Sequence, residues 1–114
     1  MNYSDDEFIA AMEACTIESF HHPDHVRLAR LYCERLGHPE ASRKIVETLR
    51  RFASHAGEPT KYHHTMTLAW MRLVNAANPE LLAKDALLHY YSPEALASET
   101  ARTGWIEPDR APLP

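Results

Sequence analysis

Apolar residues recur along this chain at three- and four-residue steps, the spacing of one face of an α-helix. Phe8, Ile9, Met12 and Cys15 predict a first helix over about residues 5–15. Ser4 and Glu7 stand three apart at its start, the spacing of a capping box. Leu28, Ala29, Tyr32 and Leu36 predict a second helix, with Pro23 in its first position, His22 as its cap and Gly37 as its stop. After Pro39, the residues Ala41, Ile45, Thr48, Leu49, Phe52 and Ala56 mark a third over about 40–56. Glu40/Lys44 and Glu47/Arg51 are spaced to pair along its outer face. Thr60 is the expected cap of a fourth helix over about 61–76, with His63, Met66, Thr67, Trp70 and Val74 on one face. A fifth over about 80–90 carries Leu81, Leu82, Ala86, Leu87 and Tyr90, and Ser92-Pro93-Glu94 opens a short sixth through Ala101.

The expected fold is therefore all-α: an up-and-down bundle of four to five helices, a short sixth helix and an extended C-terminal strap. Residues 1–103 form the bundle domain in this reading, and 104–114 the proline-rich strap, which carries Trp105, Ile106 and Leu113. With 114 residues, 45% of them hydrophobic, the chain holds one modest core. Only three glycines interrupt it, which favours helix over sheet.

Charge narrows the partners. A net charge of −4, with Arg43, Lys44, Arg50 and Arg51 interleaved with Glu40 and Glu47, argues against a nucleic-acid surface. No stretch approaches the roughly 20 apolar residues of a membrane span. The N-terminus is acidic (Asp5, Asp6, Glu7), unlike a secretion signal. Cys15 and Cys33 lack a paired spacing and read as small buried residues of a reducing compartment. The expectation is a cytoplasmic monomer or homodimer.

Histidine carries the candidate chemistry. Five of the eight histidines fall in two segments, Phe20-His21-His22-Pro23-Asp24-His25 and Lys61-Tyr62-His63-His64-Thr65-Met66-Thr67. Stepping the apolar stripe of the second helix backwards reaches His25 and then His22, so these imidazoles are expected on the buried face. His63 begins an inward stripe in the same way. Short connections make consecutive helices antiparallel neighbours, which predicts both segments at one end of the bundle with Glu18 and His89. His22 and His25 at i,i+3 with His63 make a three-imidazole set, as at a catalytic zinc, iron, copper or nickel site, with Asp24 behind it. Without a metal, His63 and His64 are candidate acid–base groups, and Tyr62 and Thr67 orient a small substrate. The leading expectation is a histidine-lined pocket that holds a divalent transition metal and binds or transforms a small molecule. The alternative is a non-catalytic ligand-binding or protein-interaction module with structural histidines.

The segment Phe20–Val26, followed by Ala29 and Tyr32, resembles a group of small bacterial proteins with an aromatic-x-His-x-x-His segment. Their second segment reads Tyr-His-Glu-Thr-x-Thr, here Tyr62-His63-His64-Thr65-Met66-Thr67. The tail resembles theirs as well: Ala101-Arg102, Trp105-Ile106-Glu107-Pro108-Asp109 and Pro112-Leu113-Pro114. The resemblance implies a helical fold and a shared histidine constellation, and no activity. His64 departs from it where the group has Glu, and Arg110 where the group is apolar.

Overall fold

A computed structural model describes residues 3–76 and 83–114. Six α-helices and no strand occur among them. They are α1 (Asp5–Glu13), α2 (His22–Leu36), α3 (Glu40–His55), α4 (His64–Asn75), α5 (Pro93–Ala97) and α6 (Glu99–Thr103). Tight 3₁₀ turns occupy Pro59–Lys61 and Ala86–His89. The chain is all-α. It divides into two compact units, Met1–Tyr62 and His63–Pro114.

In the first unit, α1 starts where the capping box places it. The Ser4 hydroxyl accepts the Glu7 N–H at 3.2 Å, and the Glu7 carboxylate accepts the Ser4 N–H at 2.9 Å. Those bonds hold the Glu7 carboxyl below its usual range. The cap of α2 is His21, one residue earlier than its proline suggests. Asp24 accepts the His21 N–H at 2.9 Å, so a carboxylate in the first turn fastens the backbone where no hydroxyl is available. Gly37 ends the helix at φ 69°, a left-handed position that glycine adopts freely. Both α1 and α2 pack on α3. Phe8, Met12, Leu28 and Ile45 are at most 1% exposed.

One polar network ties these three helices. The Tyr32 hydroxyl on α2 donates to Glu13 on α1 at 2.7 Å and lies 2.9 Å from the Thr48 hydroxyl on α3. Lys44 approaches the same carboxylate at 3.9 Å. Glu40 pairs with Arg43 rather than Lys44, while Glu47 and Arg51 form the expected pair at 2.6 Å. Burial foremost raises the Tyr32 phenol. Tyr32→Phe leaves the Thr48 hydroxyl with one partner fewer in a fully buried place. A loss of about 1–2 kcal/mol is expected in urea denaturation, with Thr48→Val no worse because it removes the other hydroxyl cleanly.

The second unit opens on α4, whose start corrects another sequence expectation. Thr60 lies in the Pro59–Lys61 turn, and the cap is His63. Thr65, Ala69 and Leu73 stack on one buried row of α4, each fully covered. Ala69, Trp70, Leu73, Ala86, Leu87 and Tyr91 form the core, with Trp105, Ile106 and Leu113 packed against it. Of the helix expected over 80–90, residues 80–82 lie outside the described residues. Ala86–His89 is a 3₁₀ turn. The sixth helix is split at Ser98. Its hydroxyl donates to Ala95 O at 2.7 Å, closing α5, and accepts the Ala101 N–H at 3.1 Å, opening α6. Side-chain caps on both sides thus outcompete a continuous helix.

Candidate functional site

The candidate residues fall on both sides of the division between the two units. His22 is the first residue of α2 and His25 stands one turn further on. The His25 ring lies 6.1 Å from that of Phe20, which in turn lies 5.5 Å from Phe52 on α3. Its Nε2 is buried and has no hydrogen-bond partner among the described residues. Burial, and secondarily the His22 imidazole, pull its pKa down to about 4. His25 is thus a neutral imidazole at pH 7, beside the Phe20 ring on the inward face that the stripe indicates.

On the same stretch of chain, Glu18 and Asp24 line a cleft of about 320 Å³ with Tyr3, Phe8, Ile17, Ser19 and Arg27. Its wall is built by the residue types present. Phe8 is 1% exposed and carries the Arg27 guanidinium 4.5 Å above its ring. Arg27 also donates to Tyr3 O at 2.8 Å and pairs with Asp5 at 2.9 Å. Ile17, Glu18 and Ser19 come from the connection that follows Cys15, whose φ is 59°. Sequence reasoning selected Glu18 and Asp24 near the histidines. It missed Arg27, although Asp5 and Arg27 are opposite charges near the starts of consecutive helices.

At the end of this unit, Tyr62 lies with its ring 5.0 Å from the Arg50 guanidinium. In the second unit, His63 has both ring nitrogens engaged by main chain. Nδ1 accepts the Met66 N–H at 3.1 Å, and Nε2 stands 2.7 Å from Leu96 O. An acceptor Nδ1 requires the Nε2–H tautomer, so Nε2 donates to that carbonyl. A metal ligand or general base at His63 would have to give up one of these bonds. The Thr67 hydroxyl donates to His63 O at 2.8 Å, one turn back on the helix. His64 is the first residue of α4 and half-buried, and His89 is exposed with its ring 6.2 Å from Tyr90. Among the described residues no group of three or more His, Cys, Asp or Glu is arranged to hold a metal ion.

The residue of this segment with the widest reach is Thr65, which sequence reasoning passed over. Its hydroxyl donates to Gly104 O at 2.7 Å and accepts the Ile106 N–H at 3.2 Å. Further along, the Tyr91 hydroxyl donates to Ile106 O at 2.9 Å. Burial pushes that phenol up to about 12, with Glu107 adding to the effect. Asp109 accepts from both the N–H and the hydroxyl of Ser92, which lowers its carboxyl pKa. The Arg110 N–H donates to Tyr90 O at 2.9 Å, and Arg72 reaches Pro114 O at 3.3 Å. A buried threonine on the helix row of Ala69 and Leu73 was the available signal: such a hydroxyl demands a partner.

Comparison with family models, with curated proteins and with solved structures finds no match to this chain.

Proposed function

We propose that this protein is a non-catalytic module that binds a small molecule in the cleft of Glu18, Asp24 and Arg27. The segment Tyr62–Thr67 then serves as architecture. The carrying observation is His63, whose two nitrogens are both spent on main-chain partners, the Met66 N–H and Leu96 O. An acid–base residue keeps at least one nitrogen for its substrate, and a metal ligand keeps one lone pair for the ion. The cleft supports the binding half of the reading. Its volume of about 320 Å³ is at the lower end of small-molecule sites, and its lining is mainly polar, with Phe8 and Ile17 as its aromatic and aliphatic complement.

In this reading the helices keep the up-and-down order that short connections favour, and residues 104–114 act as a strap on the second unit. The hydrogen bonds from Thr65, Tyr91 and Ser92 support that role. A reducing, cytoplasmic setting belongs to the proposal too, supported by the free thiols of Cys15 and Cys33. No described helix is long and apolar enough to cross a membrane.

Two measurements test the reading together. Untagged protein soaked in zinc, iron, copper or nickel and then desalted is expected to retain less than about a tenth of an equivalent of any of them. His63→Gln is expected to lower stability by about 1–3 kcal/mol, through a lost cap and an unpaired carbonyl, without altering what the cleft binds. One tightly held equivalent of metal, lost in His63→Gln, overturns the non-catalytic reading.

A further inference from the structure

Resting on the binding reading above, we propose that the cleft takes a small organic ammonium, a primary amine with a short apolar or aromatic arm, and rejects the matching carboxylate. Arg27 is the cation of the lining, and its charge is met by Asp5 at 2.9 Å, by Tyr3 O and by the Phe8 ring. Glu18 and Asp24 face the same space, and neither has a cationic partner among the described residues. The lining thus carries two carboxylates beside one guanidinium that Asp5 already pairs, so the field in the cleft is negative.

An anion meets two obstacles there. The start of a helix ordinarily offers N–H groups to an anion, but on α2 Pro23 has none, and the Asp24 and His25 N–H groups already donate to His21 O at 2.9 and 3.1 Å. Glu18, which lines the same cleft, then repels the incoming charge. An ammonium finds the reverse. It has three donors, and the cleft presents the Glu18 carboxylate, the remaining oxygen of Asp24 and the Ser19 hydroxyl as acceptors. Tyr3 and Ile17 line the cleft and offer apolar surface to a short arm. A water-filled crevice between two solvated acids is the competing account, and it gives no discrimination by arm or charge.

The test uses the full chain, ¹⁵N-labelled, titrated separately with phenethylammonium, with 3-phenylpropionate and with 2-phenylethanol at pH 7.5. Phenethylammonium is expected to shift amide resonances between Ile17 and Arg27 saturably, at least tenfold more tightly than either other probe. Glu18→Gln combined with Asp24→Asn is expected to weaken it about tenfold or more. Asp24→Asn loosens the cap of α2, so Glu18→Gln alone, on an exposed connection, serves as the fold-neutral variant, with a loss of about threefold. A carboxylate that binds as well as the amine overturns the ammonium class while leaving a binding cleft. Shifts by none of the three probes overturn the class and the binding reading together. Amine binding unchanged in Glu18→Gln and the double variant alike also overturns the assignment.

Discussion

Replacing Thr65 with Val is expected to cost the second unit about 3 kcal/mol and to release residues 104–114 from it. The two side chains have nearly the same shape, so the cost is not a cavity. It comes from the hydroxyl, which serves Gly104 O at 2.7 Å and the Ile106 N–H at 3.2 Å while the residue is wholly buried. Valine leaves a buried acceptor and a buried donor unmade, each worth about 1–3 kcal/mol. The neighbouring ties do not make good the loss. Tyr91 holds Ile106 by its carbonyl, and Ser92 with Asp109 holds the chain three residues later at the surface. Thr65→Ser keeps the hydroxyl, gives up one methyl and is expected to cost about 1 kcal/mol. Urea denaturation ranks the three proteins, and amide exchange at Ile106 reports the release directly. Equal stability of the Val and wild-type chains would show that the tail is held by packing of Trp105, Ile106 and Leu113 alone.

That hydroxyl also marks the boundary of what the sequence discloses. Helical periodicity places the buried faces of α1 to α4 well, because Phe8, Met12, Leu28, Ile45, Trp70 and Val74 answer to the hydrophobic effect, which is local in its pattern. The Ser4–Glu7 box and the Gly37 stop are equally local and equally legible. Ends that rest on histidine are not. His21 and His63 cap α2 and α4 where the sequence suggests His22 and Thr60, since imidazole is a rare cap and a proline or threonine nearby is the commoner sign. Partners far along the chain leave no periodic trace. Thr65 with Gly104, Tyr32 with Glu13 and Thr48, and Arg27 with Asp5 are separated by 16 to 39 residues. The candidate site shows the same division. The burial of His25 follows from its place in the stripe, whereas the use of both His63 nitrogens by Met66 and Leu96 depends on where the chain returns.

Acid is expected to destabilise the first unit by up to about 3 kcal/mol between pH 6.5 and pH 4, through His25. In the unfolded chain this imidazole takes a proton near its ordinary value of 6.5. In the folded chain burial foremost, and the His22 imidazole after it, hold it down to about 4. Between those limits the unfolded state binds more protons, so stability is fully present above pH 6.5 and is lost as pH falls through 4. The magnitude follows from about 1.4 kcal/mol for each tenfold difference in proton affinity. The lowered carboxyl of Glu7 acts with the same sign at lower pH, but it is exposed and adds little. His25→Phe separates the contributions, since it keeps a ring between Phe20 and the core, removes the orphaned Nε2 and cannot take a proton. Urea midpoints at pH 7.5, 6, 5 and 4 are expected to fall steeply for the wild type and to stay nearly level for this variant until the carboxylates titrate. His22→Gln, which removes only the smaller, electrostatic cause, is expected to keep most of the slope. If His25→Phe lost as much stability over this range as the parent, the acid sensitivity would have to originate in another group, and the buried imidazole would be a packing residue with no charge cost attached.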